Sequence, residues 1–271
     1  MSALPLLDVE LMRHALTVKP SAAEQAAAAV TWRGWLRDHG YKTYRPLLAS
    51  GKTNVKISKG GRTMLLTLRA SNGSGVVDVC AHATVTCRAV CVLETAGKGG
   101  IESVRDARDV RTMFAAAHPR AFLVQVWTEV RAAARRGVVR LRLNMASDIR
   151  WELVAPAVLA LRNVRTYDYS KYPPSARALA PASYRITYSF DGSERSRARA
   201  VAYLAAGGTV AVVFAVKRGQ PLPAMWEGFP VVDGDLTDDR TRDPRGVVVG
   251  LRAKGSARRE TPGRDSFVQA A

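Results

Sequence analysis

The sequence predicts an α/β fold, a partial or irregular (β/α) barrel with mostly parallel strands that is preceded by an N-terminal helical arm. Three observations support this prediction. Short apolar segments alternate with amphipathic ones between residues 63 and 255, as in parallel βαβ units. The three cysteines directly follow the first apolar segment. Seven segments have the character of strands, too few for a closed eight-stranded barrel, and none carries the glycine fingerprint of a doubly wound sheet.

The composition of the chain changes at two points. We divide it into a helical and basic arm, a barrel-like domain with the three-cysteine loop, and a basic flexible tail, at residues 1–60, 61–255 and 256–271 respectively. In the arm, Ser21 and Glu24 have the spacing of a capping box ahead of an alanine-rich helix that ends at Gly40. The segment 41–61 is basic and contains two tyrosines, which suits either a single-strand binding surface or a solvated extended segment.

The middle part of the chain is predicted to alternate between strands and helices. The helix at 103–117 has an apolar face formed by Val104, Ala107, Val110 and Phe114. Apolar residues at helical spacing predict a second helix at 121–136, and further helices are predicted at 149–161, 174–180 and 193–206. The predicted strands, which are short and rich in branched apolar residues, are 63–69, 138–144, 164–170, 184–190, 209–216, 229–235 and 246–255.

The cysteines Cys80, Cys87 and Cys91 have the spacing C-x6-C-x3-C. Three thiolates from one loop suit zinc or an iron–sulfur cluster, both of which usually take four ligands. His82 would complete a structural zinc site, whereas an iron without a fourth protein ligand would stay open to a small molecule. Free buried thiols are an alternative, and so is a disulfide with one thiol left over.

Polar residues follow most of the predicted strands. In a barrel the carboxyl ends of the strands meet at one face, and catalytic groups lie there. The candidate catalytic residues are Asp148, Asp168, Lys171, Asp233 and Asp235, and the candidate cofactor-binding residues are Asn144, Ser147 and Ser189. The D-G-D sequence at 233–235 suits cation binding or acid–base chemistry, but taken alone it favours an ordinary Asx turn.

The chain is strongly basic, with 41 Lys and Arg against 23 Asp and Glu and a formal charge of +18. Such a charge predicts nucleic acid or a phosphate-rich substrate as partner, although arginine-rich codon usage would also raise it. Arg105, Arg108 and Arg111 form a row on one helix that could follow phosphates, or could pair with the neighbouring Asp106 and Asp109. The candidate nucleic-acid-binding residues are Lys52, Lys56, Arg105, Arg108, Arg111, Arg252, Lys254 and Arg258.

Several function classes lack their motifs. Position 46 is Pro46, so the glycine of a phosphate-binding P-loop is missing ahead of Gly51, and neither a Gly-x-Ser-x-Gly elbow nor a metalloprotease histidine pair occurs. No run of about 18 apolar residues is present, and the first residues include acids where a secretory signal has positive charge. We therefore expect no membrane partner and a cytoplasmic location.

Six segments together resemble the gene-product-88 family of actinobacteriophage proteins. They are SGVVDVCAHATVTCRAVC, LRLNMASDIRWE, TYDYSK, VAVVF, VVDGD and DPRGVVVGLRAKG, and the resemblance extends over about residues 54–255. That family has no assigned activity. The resemblance therefore implies a phage protein made in the cytoplasm of the bacterial host, without implying a particular chemistry.

A more distant similarity is to the radical S-adenosylmethionine enzymes, which have a three-cysteine loop after the first strand of a partial barrel. It implies that Cys80, Cys87 and Cys91 hold an iron–sulfur cluster, with S-adenosylmethionine as cofactor at the strand ends. The spacing here differs from the usual C-x3-C-x2-C, and Val90 and Val92 flank the last cysteine where an aromatic residue is common.

Three functions are consistent with these observations. The first is a phage-encoded iron–sulfur enzyme of the radical type that acts on a nucleotide or nucleic acid. The second is a non-enzymatic, basic nucleic-acid-binding protein whose cysteine loop is stiffened by zinc. The third is an inhibitor of a host protein. The sequence does not indicate an oligomeric state.

Overall fold

The computed structural model describes residues 3–271, except for the side chain of Thr53. The helices of this range are α1 (Leu7–Met12), α2 (Ala22–Asp38), α3 (Val55–Ser58), α4 (Val85–Ala89), α5 (Val92–Thr95), α6 (Glu102–Ala117), α7 (Pro119–Ala134), α8 (Trp151–Val154), α9 (Pro156–Leu159) and α10 (Glu194–Ala205). The strands are β1 (Leu48–Ser50), β2 (Thr63–Leu66), β3 (Val139–Arg142), β4 (Val164–Ser170), β5 (Tyr184–Ser189), β6 (Thr209–Phe214), β7 (Met225–Trp226), β8 (Phe229–Asp233), β9 (Val248–Arg252) and β10 (Val268–Gln269).

The strands form one sheet in the order β1-β2-β3-β4-β5-β6-β9-β8-β7, and β10 pairs with β6. Only β1 and β7, at the two edges, are antiparallel to their neighbours. The predicted α/β fold with mostly parallel strands is therefore confirmed. The described strands do not close into a barrel, because no pairing joins β1 to β7.

The longer helices α6, α7 and α10 pack on one face of the sheet. Paired residues of parallel strands point to the same side, and alternate residues point to opposite sides. Val139 and Leu141 of β3 belong to a core shared with α6 and α7, while Val210 and Val212 of β6 belong to a second core shared with α10. The registers place these four residues on the same face. This one-sided helical layer differs from a doubly wound sheet, which has helices on both faces.

The opposite face of the sheet carries buried charges. Arg140 and Arg142 alternate with the core residues of β3 and lie under the segment 234–243. The Nε atom of Arg140 lies 2.5 Å from Asp239, and Arg142 lies 2.6 Å from Asp238. Buried charges need such partners because desolvation is otherwise costly. Two ion pairs thus join the segment to the sheet.

Both ends of the chain are part of this structure. Leu7 of α1 is fully buried in the larger core, and its N–H donates to the carbonyl of Asp78. The last residues, expected to form a flexible tail, contain β10, and Val268 is 1% exposed against β6. The predicted helix at 149–161 is divided into α8 and α9, because Pro156 has no N–H to continue a helical ladder. No helix within residues 3–271 has the length and apolar character needed to cross a bilayer.

Candidate functional site

A basic cavity lies at the carboxyl edge of the sheet, where β6, β8 and β9 end. Its volume is about 680 Å³, and one wall is formed by residues 95–97 of the cysteine-containing segment. We call this cavity the basic pocket and define it by its six basic side chains, Lys56, Lys59, Arg218, Arg252, Lys254 and Arg258. One carboxylate, that of Asp235, also lines it, so the lining carries a formal charge of +5.

Glycines place the basic side chains at this cavity. Lys59, Arg218 and Lys254 each directly precede a glycine in the sequence. Gly219 and Gly255 have φ angles of 88° and 55°, in the left-handed region where other residues are strained. The chain can therefore turn sharply just after β6 and β9, which leaves the preceding basic residue at the rim.

Asp235 gathers three of the six cations. Its carboxylate lies 2.5 Å from Lys254 Nζ, 3.4 Å from Lys56 Nζ and 3.4 Å from Arg252. Burial acts to raise the pKa of Asp235, but the hydrogen bonds from Lys254 and the Arg252 N–H, together with the lysine charges, lower it to about 2. Burial lowers the pKa of Lys56 to about 8, against the opposing charges of Asp238 and Asp235. The pocket therefore contains a carboxylate that stays ionised at neutral pH.

The other three cations have no carboxylate partner in the described part of the chain. No ion pair involves Lys59, Arg218 or Arg258, and all three are exposed. Arg258 only donates a hydrogen bond to the carbonyl of Ala253. Their charges are not compensated locally, so a phosphate or another oxyanion in the cavity would meet cations that are free to bind it.

The predicted strand-end residues of β3 and β4 assemble elsewhere, in a buried network. Asp168 is fully buried and accepts hydrogen bonds from the N–H of Asn144 (2.7 Å) and the hydroxyl of Tyr184 (2.8 Å). Burial raises the pKa of Asp168 to about 7, although these hydrogen bonds oppose the rise. Asn144 also accepts hydrogen bonds from Ser147 and Trp151. These groups therefore hold the ends of β3, β4 and β5 together.

Asp148 and Lys171 have similar roles in this network. Asp148 accepts hydrogen bonds of 2.7 Å from the hydroxyl of Ser170 and from the N–H of Lys171. Burial raises its pKa, against the nearby charge of Arg177. The Nζ atom of Lys171 donates to the hydroxyl of Ser189 at 3.2 Å. Asp148 and Asp168 are therefore buried and hydrogen-bonded within the protein, whereas the sequence predicted that they line an open site at the strand ends.

The two aspartates after β8 are separate from this network. β8 lies four strands from β4 in the sheet order, or about 19 Å at the usual strand spacing. Asp233 is paired with Arg252 at 2.9 Å, and Asp235 lies in the basic pocket. The single mouth expected from the strand ends is therefore divided into a buried network and a basic pocket.

The cysteines are free thiols that differ in their surroundings. The Cys80 thiol lies 3.6 Å from the carbonyl oxygen of Ala146. Burial raises the pKa of Cys80 and of Cys91, and the neighbouring Cys87 adds to both shifts. His82 packs edge-on against Tyr172, with ring centroids 4.3 Å apart.

The three cysteines are not grouped as ligands of one metal ion or cluster in the described part of the chain. Within residues 3–271, no group of three or more His, Cys, Asp or Glu side chains is placed to hold a metal. The segment also contacts a neighbouring turn. Thr95 donates to the carbonyl of Cys91, and the N–H of Ser256 donates to the Thr95 hydroxyl at 3.4 Å. The cysteine-containing segment is thereby joined to the turn after β9 that borders the basic pocket.

The arginine row of α6 also faces this segment. Arg105 and Arg108 lie 3.7 and 3.5 Å from Glu94, and Arg108 is buried. Arg111 donates to the carbonyls of Ala107 and Pro46. Lys52 is exposed and does not line the basic pocket. Of the eight predicted nucleic-acid-binding residues, the pocket contains Lys56, Arg252, Lys254 and Arg258.

Two pocket residues, Lys59 and Arg218, were not among the sequence candidates. A basic residue directly precedes a glycine at Lys59, Arg218 and Lys254, but the same pair occurs at seven positions of the chain, four of which lie outside the pocket. The sequence therefore carries no signal that singles out Lys59 and Arg218.

A family model described as gene product 88 matches residues 41–265 of the chain. The matched range includes the whole lining of the basic pocket and the strand ends of the buried network. No curated protein gives a significant match to the chain, and no solved structure does.

Proposed function

The chain belongs to the gene product 88 family, and from this premise and the basic pocket we propose that it is a phage nucleic-acid-binding protein. In this proposal the pocket receives phosphate groups of the bound strand. The observation that carries it is the set of three exposed cations, Lys59, Arg218 and Arg258, which share one cavity and have no carboxylate partner among the described residues.

The charge outside the pocket favours a polymer over a free nucleotide. The pocket lining accounts for +5 of the formal +18, so most of the excess lies on the rest of the chain. A mononucleotide would meet only the pocket. A nucleic acid extends beyond it and releases counterions at every phosphate that is neutralised.

The proposal is tested by fluorescence anisotropy of a labelled oligonucleotide at several salt concentrations. We expect log affinity to fall with log salt, by about 0.7 to 0.9 for each phosphate contacted. The triple variant Lys59→Ala, Arg218→Ala, Arg258→Ala should make this slope shallower by about 2 to 3. Competition with a mononucleotide at equal phosphate concentration distinguishes a nucleic acid from a free nucleotide as the ligand. We expect the mononucleotide to compete weakly.

The matched control is Lys42→Ala, Arg135→Ala, Arg136→Ala, which removes the same charge from exposed positions outside the pocket. We expect its salt slope to stay close to that of the unmodified protein. Equal changes of the salt slope in the two triple variants would mean that the pocket has no special role in binding. Absence of binding at about 50 mM salt would remove the proposal altogether.

The radical-type enzyme acting on a nucleotide or nucleic acid is a second candidate. Two observations favour it, namely the one-sided helical layer, which suits a partial barrel, and the cysteine segment that follows β2. Because Cys80, Cys87 and Cys91 are not arranged as metal ligands, we derive no reaction step through a cluster. Metal analysis and a visible spectrum of protein purified without oxygen test this candidate.

A further inference from the structure

A second cavity of about 340 Å³ lies on the helical side of the sheet. We call it the tyrosine cleft and define it by Tyr172, Tyr184, Tyr188, Tyr203, Arg185 and Arg245. Tyr184 and Tyr188 are four residues apart on β5, so they point to the same face. Tyr203 comes from α10. The cleft therefore lies where the layer of helices is interrupted between α9 and α10.

The tyrosine hydroxyls are hydrogen-bonded within the protein. The ring carbons are therefore the part of these side chains that lines the cleft. The Tyr184 hydroxyl donates to Asp168, the Tyr188 hydroxyl shares a hydrogen bond of 2.9 Å with Ser196, and the Tyr203 hydroxyl is 3.4 Å from the carbonyl of Ile186. Tyr172, Tyr184 and Tyr188 are only 2–6% exposed, so the ring that a ligand can reach is that of Tyr203, which is half-buried.

Gly208 fixes the position of the Tyr203 ring. A Cβ atom at Gly208 would lie 2.5 Å from carbon atoms of that ring. Only glycine lets the ring pack this closely against the backbone at the start of β6. One face of the Tyr203 ring therefore packs directly on the backbone.

The charged groups of the cleft are all cationic. No Asp or Glu lines it in the described part of the chain. Arg177 is paired with Glu152. Arg185 alternates with Tyr184 on β5 and donates to the carbonyl of Asp243 on the opposite face of the sheet. The uncompensated cation of the cleft is therefore Arg245, which is exposed without a carboxylate partner among the described residues. An accessible aromatic ring beside an uncompensated guanidinium group suits a flat ring that is attached to an anion.

We infer that the tyrosine cleft binds an unpaired nucleobase, so that the ligand of this protein is single-stranded nucleic acid. This inference rests on the proposed function. A base in a duplex is stacked and paired, and it can enter a cleft of this kind only after it leaves the helix. Single strands offer their bases for stacking on aromatic side chains without that cost.

The two cavities can be served by one strand. The cleft adjoins Thr209 at the amino end of β6, and the basic pocket adjoins Arg218 beyond its carboxyl end. The length of β6 separates them by about 20 Å, which about six stacked nucleotides span. A strand of about 12 nucleotides is therefore long enough to reach both sites.

The test uses single-stranded DNA and RNA of about 12 nucleotides that contain the fluorescent base 2-aminopurine, whose emission is quenched on stacking. We expect quenching on binding and weaker binding of the matching duplex. Tyr203→Ala should lower affinity about 5- to 150-fold, equivalent to about 1–3 kcal/mol for one stacked base, and Tyr203→Phe should retain it. Whichever of the DNA and RNA oligonucleotides binds more tightly identifies the type of nucleic acid.

Arg245→Ala gives a second readout that does not disturb the core, because this side chain is exposed. Its control is Arg37→Ala, an exposed arginine of α2 that lines neither cavity. We expect only Arg245→Ala to weaken binding beyond the effect of one lost charge. If Tyr203→Ala fails to fold, the comparison of Arg245→Ala with Arg37→Ala tests the inference, together with the binding of an oligonucleotide that lacks bases.

Equal affinity for the normal and the base-free strand would overturn the inference, as would tighter binding of duplex. The proposed function would still stand if the basic-pocket variants changed the salt slope. If the basic-pocket variants did not change the salt slope while binding still depended on the bases, the role of the basic pocket would be contradicted. The inference about the tyrosine cleft would then still stand. The two proposals thus fail in different experiments.

Discussion

Asp168 accepts a 2.8 Å hydrogen bond from the hydroxyl of Tyr184, and both side chains are buried. Burial raises the pKa of Asp168 from 3.8 to about 7. Between about pH 4 and pH 7 the folded protein therefore keeps a proton that the unfolded chain has already lost. The contribution of this carboxyl to the free energy of unfolding is complete below that range and is lost as pH rises through it.

We expect Asp168→Asn to remove this pH dependence, because the amide is uncharged and similar in size. Denaturant unfolding from pH 4 to pH 8 measures it. The unfolding free energy of the unmodified protein should fall relative to that of the variant by up to roughly 4 kcal/mol as pH rises through this range. A constant difference between the two proteins would show that the carboxyl is ionised throughout.

The ion pair between Arg177 and Glu152 should be important for stability. Two nitrogens of the guanidinium contact the two carboxylate oxygens at 2.6 and 2.9 Å, and both side chains are buried. Glu152→Gln leaves a buried guanidinium without its main counter-charge, so we expect a loss of about 3–5 kcal/mol in unfolding free energy. The control is Glu10→Gln, which breaks the exposed pair with Arg13 and should cost about 0–1 kcal/mol.

Asp235 competes with a bound phosphate for the cations around it. Asp235→Asn should release Lys56, Lys254 and Arg252 toward the ligand and tighten oligonucleotide binding roughly fivefold at low salt, equivalent to about 1 kcal/mol in total. Fluorescence anisotropy measures the change. Asp265→Asn is the control, since this exposed carboxylate has no ion pair among the described residues. A loss of affinity in Asp235→Asn would mean that the carboxylate positions the cations instead.

The alternation of apolar strands and amphipathic helices was sufficient to predict a mostly parallel α/β sheet. The strands that escaped prediction, β1, β7 and β10, are two or three residues long. Such lengths are too short for a period-two pattern to be recognised. The break between α8 and α9 was carried by a single proline, Pro156, within an otherwise apolar run.

The candidate site was predicted less well than the fold. The sequence shows that Asp168 and Asp235 each lie at the end of a strand, but it does not show the order of the strands in the sheet. Because β9 lies between β6 and β8, the acids after β8 are far from β4. Likewise, the cysteine spacing shows that three thiols share a segment, whereas tertiary packing decides where each one points.

The three cysteines are all half-buried but should differ in reactivity. The thiolate is the reactive form, and burial raises the pKa of Cys80, whose sulfur also contacts the carbonyl of Ala146. We expect iodoacetamide to label Cys80 much more slowly in the native protein than in denaturant, where all three cysteines should react alike. Peptide mass spectrometry reads each site separately. If Cys80, Cys87 and Cys91 were instead protected together and became reactive together after chelation, a bound metal would be holding all three, and the iron–sulfur and zinc alternatives would replace the free-thiol arrangement.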